Sequence, residues 1–217
     1  MPGKLTRREM IILAGSSTAQ LATVAVATKA LQVSIDLNAS SEKAQELKRL
    51  ARACHRRAQV NERYRPAYEE VFDWVWAIYS FDRVLKDPLH YCAMIDHESL
   101  WNPTHYKLSD GNTRGLGSMA VDTARDLVEK EGLKVQAAGT ALFNPRFAIK
   151  MMIRYYEQIY LATPIRDRER WALYGYNGGP GAARRRSEKG KKLSLTYHKT
   201  HKRRRALIVG EMKGAEA

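Results

Sequence analysis

Little in this chain supports a disulfide scaffold, a sheet protein or a membrane span. Two cysteines in 217 residues, Cys54 and Cys92, exclude a disulfide framework and a cysteine-built zinc site. One bridge is open to them if the chain is exported. Each sits on an apolar stripe, however, where a small buried thiol is expected. No segment sustains strand alternation between hairpin turns, and no internal repeat is present, so sandwich, barrel and solenoid architectures drop out. The mildly apolar run from Met10 to Ala27 is rich in Ser and Thr and is closed by Lys29. It ends short of the roughly 20 residues a spanning helix needs. His97 and His105 stand at no metal-ligand spacing, so neither metal nor cofactor is expected. Acid is scarce too: 23 Asp and Glu face 37 Lys and Arg, for a net charge of +14.

That excess favours a polyanionic partner: nucleic acid, an anionic membrane face or the bacterial wall. It is unevenly placed. From Arg184 to Arg205 eleven Lys and Arg meet one acid, Glu188, so +10 of the +14 lies in 22 residues. Residues 184–217 are therefore expected as a basic C-terminal segment, either a solvated tail or a polyanion-binding element for wall polymer or DNA. Leu193, Leu195 and Tyr197 alternate within it and suit a short strand or a docked arm. The apolar ALIVGEM run that follows suits packing on the domain. At the other end, Lys4, Arg7 and Arg8 precede the apolar run, which ends in the A-x-A-like Ala25–Ala27. TRREMII resembles a twin-arginine export signal. Residues 1–35 are expected as an export signal (twin-arginine or Sec), an anchor, or a helix packed on the core or on a neighbouring subunit. Export would place the protein in the periplasm or cell envelope.

What is abundant is helical periodicity. Ala44, Leu47, Leu50, Ala51, Cys54 and Ala58 recur at three- and four-residue steps from Ser40 to Val60. Pro66 opens a second helix with a stripe of Tyr68, Val71, Phe72, Val75, Ile78 and Tyr79. These make a helical extension over residues 36–85. A short helix from Pro88 to about His97 leads to Glu98. Three more are expected over about 121–131, 145–161 and 167–176, with a loop from Asn102 to Ser118 and a stop at NGGPG. The class is all-α, with at most a minor β element in the loop after Glu98.

Three motifs then stand in order: ESLWNP (Glu98–Pro103), GLGSMAVDTA (Gly115–Ala124) and ALYGYNGGPGA (Ala172–Ala182). Together with NPRFAI (Asn144–Ile149) they resemble the soluble lytic transglycosylase family, which has the goose-type lysozyme-like fold. Its pattern is E-S-x-aromatic-N-P, then G-L-M-Q with a nearby T-A, a D-P-x-x-N-I segment, and A-Y-N-x-G-P-G. The resemblance covers roughly Asp87 to Ala183 and implies a catalytic domain over residues 86–183. The chain departs from the pattern at Gly117 and Ser118, where the family has Met-Gln, and at Asn144 and Ala148.

The resemblance implies cleavage of the bond between N-acetylmuramic acid and N-acetylglucosamine in peptidoglycan glycan strands. It also implies that Glu98 acts as acid and then base, with the sugar's own 6-hydroxyl closing to a 1,6-anhydro product. A carboxyl donates at neutral pH only if its surroundings favour the protonated form, and Ile95, Leu100 and Trp101 lie close in sequence. Tyr176 is expected to hold the Glu98 carboxyl, and Ser99, Ser118 and Asn177 to bind sugar. A hydrolytic muramidase needs a second carboxylate to position water. Asp110 is the candidate, since Asp96, two residues before Glu98, points away on a helix. Two other readings stay open. One is a bacteriophage virion component carrying a wall-degrading domain, with residues 1–35 as a subunit contact and the basic segment against DNA. The other is a wall-binding module without activity.

Overall fold

The computed structural model describes residues 42–107, 112–132 and 138–214. The segment expected as an export signal, anchor or packing helix, residues 1–35, lies outside them, as does Asp110. Leu47–Ala217 forms one compact unit.

Helices dominate, as the periodicity requires. Residues 42–58 are helical (α1), followed by α2 (Tyr68–Phe81), α3 (Pro88–Glu98), α4 (Val121–Lys130), α5 (Ala138–Ala141), α6 (Pro145–Ala162), α7 (Arg168–Gly178), α8 (Pro180–Arg185) and α9 (Glu188–Lys213). Three two-residue strands lie in the loop after Glu98: β1 (Tyr106–Lys107), β2 (Thr113–Arg114) and β3 (Met119–Ala120). They pair antiparallel in the order β1-β2-β3, with Tyr106 opposite Arg114 and Thr113 opposite Ala120. The fold is all-α with this minor sheet. Among the described residues no helix is long and apolar enough to cross a membrane.

α3 is the central helix. His90 through Asp96 are all buried, the mark of an element enclosed on every side. Pro88 sits in its first turn, and the Asp87 carboxylate accepts from His90 N at 3.2 Å, capping an end that would otherwise leave donors unpaired. α6 forms the other half of the core through Ile149, Met151, Met152, Ile153 and Tyr156, and packs on α2 and α7. Cys54 of α1 and Cys92 of α3 are free buried thiols. Burial, with a hydrogen bond to Cys92, pushes the Cys54 thiol well up. Pro66 lies outside α2, ahead of its N-cap Ala67, whose N–H donates to Glu70.

Among the described residues, the basic C-terminal segment forms neither a tail nor a strand but helix. Ser187 caps a 26-residue helix by accepting from Gly190 N. Its buried residues are Gly190, Ser194, Tyr197, His201 and Ile208, spaced as one helical stripe. Leu193 and Leu195 face outward, 46% and 43% exposed. Gly190 permits close approach to α7: a Cβ there would meet Tyr174 Cε1 at 3.3 Å. α9 packs along α3 and α7. The ALIVGEM run is its last part. Ile208 is buried there, and Arg56 of α1 donates to Glu211 at 2.7 Å.

Candidate active site

Glu98 ends α3 at one wall of a cleft of about 480 Å³. The cleft is also lined by His97, Lys107, Thr113, Ser118, Met119, Ala120, Thr123, Tyr155, Tyr176, Asn177, Gly179 and Tyr197. Glu98 is the one carboxylate lining it among the described residues. The turn after Glu98 is tightly determined. Leu100 and Trp101 both have left-handed backbone, φ 49° and 64°, a conformation held only where surroundings over-determine it. Asn61 supplies part of that hold by donating to Leu100 O at 3.0 Å. Trp101 supplies more, fully buried, stacked on Trp74 at 6.5 Å and donating to Asp96 Oδ1 at 3.2 Å.

Asp96 is wholly buried and takes Arg57 of α1 at 3.2 Å and Arg204 of α9 at 3.1 Å. It faces this network rather than the cleft. The apolar neighbours of Glu98 in sequence also turn away from the cleft: Ile95 and Trp101 are fully buried and do not line it.

The hydroxyl on Glu98 comes from α9, where Tyr197 donates to Glu98 Oε1. Burial first, then the Glu98 charge, pushes the Tyr197 phenol well up, so it stays a donor. The His97 ring stands edge-on to Tyr197 at 4.8 Å. Burial, then Arg204, lowers the His97 pKa and favours its neutral form. Tyr176, expected on the Glu98 carboxyl, does not hold it through its hydroxyl. It lines the cleft, but its hydroxyl donates to Gly117 O at 2.7 Å.

That bond explains Gly117. A Cβ there would lie 2.9 Å from Met152 Cβ and 3.0 Å from Tyr176 Oη, so α6 and α7 already fill the space a side chain would need. Gly115 is equally constrained, with φ 73° and an added Cβ 2.0 Å from Leu142 O. Ser118 adopts φ 47° and donates to Thr113 Oγ1 at 3.2 Å on the cleft wall. Asn177 lies exposed at the C-terminal end of α7, on the same cleft. Ser99 is not brought there: it is 6% exposed and its hydroxyl donates to Ile95 O at 3.3 Å.

Sequence reasoning therefore assembled Glu98, Ser118, Tyr176 and Asn177 at one cleft and missed Tyr197. The spacing Gly190, Ser194, Tyr197, His201 was the available signal, but small and polar residues carry it, so a search for apolar stripes passes over it.

The family model of the transglycosylase SLT domain matches residues 85–198, more than half of the chain and extending through Tyr197. No curated protein matches it.

Proposed function

The chain belongs to the transglycosylase SLT domain family and is a transglycosylase-type enzyme of peptidoglycan; from that premise we propose that it cleaves the N-acetylmuramic acid–N-acetylglucosamine β-1,4 bond with Glu98 as its acid and base. The observation that carries this reading is the placement of Glu98, alone among carboxylates of the described cleft lining, under the Tyr197 hydroxyl.

The Glu98 carboxyl gives its proton to the bridging oxygen as the anomeric carbon–oxygen bond breaks. The carboxylate then takes the proton of the 6-hydroxyl on the same muramic residue, whose oxygen bonds to the anomeric carbon. One proton leaves Glu98 and one returns, and no water is consumed. Tyr197 holds the carboxyl in place through both steps, and Asn177 and Ser118 supply polar contacts to the glycan. The outward Lys191, Lys192, Lys199, Lys202 and Arg203 of α9 are exposed and suit the acidic groups of the wall.

Mass analysis of products from purified peptidoglycan tests the reading. Anhydro-muropeptides formed by the wild type and absent with Glu98→Gln are expected. Reducing ends would mean that water is the acceptor, and would overturn the ring-closing step.

A further inference from the structure

Away from the cleft, three helices bring imidazoles and a carboxylate together. His90 comes from α3, Glu169 from the first turn of α7, and His198 and His201 from successive turns of α9. Glu169 Oε1 lies 3.9 Å from His90 Nδ1, 3.8 Å from His201 Nδ1 and 3.8 Å from His198 Nε2. These separations are too long for hydrogen bonds. They are close to the spacing of ligands around a shared ion, about 3.4 Å for bonds of about 2.05 Å at a tetrahedral angle. The ligand atoms of His90, Glu169 and His201 all lie within 4.8 Å of one another.

The protonation pattern points the same way. His201 Nε2 is 3.1 Å from the His90 carbonyl oxygen, an acceptor, so Nε2 carries the proton and donates it. Nδ1 is then left with a lone pair. His201 is 0% exposed and its Nδ1 has no hydrogen-bond partner. That lone pair faces the Glu169 carboxylate with no proton between them, a repulsive arrangement that a cation would reverse. An imidazole bonded to a carbonyl through one nitrogen and to metal through the other is the usual arrangement at metal sites. The nearby cations are engaged elsewhere, Arg205 with Asp87 at 2.6 Å and Arg170 with Asp167 at 3.2 Å.

We propose that His90, Glu169 and His201 bind one divalent transition-metal ion, with His198 or water completing the shell. Imidazoles with a single carboxylate suit zinc rather than calcium or magnesium. None of the four residues lines the cleft, so the ion is structural. It ties α9 to α3 and α7, and because His198 follows Tyr197 directly, it fixes the register that delivers Tyr197 to Glu98.

The test uses the untagged full chain, stripped with a chelator and titrated with zinc chloride by calorimetry, with Tm recorded before and after. One zinc per chain and a rise in Tm are expected. His201→Ala removes a fully buried ring and can fail to fold. Glu169→Gln changes a side chain that is 43% exposed and preserves its shape. It is expected to weaken zinc by more than the roughly 10–100-fold lost when outer-shell partners are changed, and to leave a Tm indifferent to zinc. A folded wild type that takes up no stoichiometric zinc would overturn the proposal. So would Glu169→Gln that binds zinc as tightly as the wild type.

Discussion

On one side of Glu98, Ser118, Tyr176 and Asn177 come from glycine-rich motifs at loops and helix ends. On the other, Tyr197 comes from the middle of a basic helix. The first side is built by backbone: left-handed turns at Leu100, Trp101 and Ser118, and glycines where no side chain fits. The second is built by side chains reaching across from α9 to α3. Arg205 holds Asp87 at the start of α3, His201 meets the His90 carbonyl, and Arg204 reaches Asp96 before Tyr197 reaches Glu98. α9 thus runs antiparallel to α3 and grips it from its N-cap to Glu98. A charge cluster that reads as a solvated tail can instead be a helix whose inner face spends its cations on the acids of the central helix.

The largest expected effect leaves both sides standing. Glu98→Gln keeps an acceptor for Tyr197 and removes only the proton, so activity on purified wall falls by about 10²–10⁴-fold with an unchanged circular dichroism spectrum. Asp96→Ala breaks the link between the sides. It strands Arg57 and Arg204 and frees the Trp101 indole, and is expected to cost about 3–5 kcal/mol in a urea titration. Gly117→Ala strikes the first side alone. The new methyl meets Met152 and Tyr176 and is expected to cost about 1–3 kcal/mol, with weaker turnover. The smallest effect concerns the outer face of α9, where Leu193→Ser is expected within about 0.5 kcal/mol of wild type. Were residues 193–197 a buried strand, that change would be costly.

Most helices were legible because their stripes are apolar, and Glu98, Ser118, Tyr176 and Asn177 were legible through the motifs that resemble the transglycosylase family pattern, and the structure places all four on one cleft. α9 was not legible. Its buried stripe is Gly190, Ser194, Tyr197 and His201, which binary patterning scores as neutral, while its visible leucines alternate on the exposed side. The grouping of His90, Glu169, His198 and His201 escaped for a related reason. His198 and His201 are three apart on one helix, but Glu169 and His90 join them only through the packing of α7 and α3. The placement of Tyr176 on Glu98 failed because a hydroxyl of the right kind at the right motif says nothing of which carbonyl is nearer, and Gly117 leaves its own carbonyl open to it.

The two tyrosines therefore test the account most directly. Steady-state kinetics of Tyr197→Phe and Tyr176→Phe, measured across pH on the same glycan substrate, separate the group that touches Glu98 from the one that braces the loop. Tyr197→Phe is expected to lower kcat by about tenfold, the loss of one hydrogen bond to a charged group, and to move the alkaline limb of the pH–rate profile, where Glu98 loses the proton it must donate, to higher pH because the carboxylate loses a donor. Tyr176→Phe is expected to leave that limb in place. A shifted limb with Tyr176→Phe and an unchanged one with Tyr197→Phe would contradict the assignment of α9 to the catalytic site.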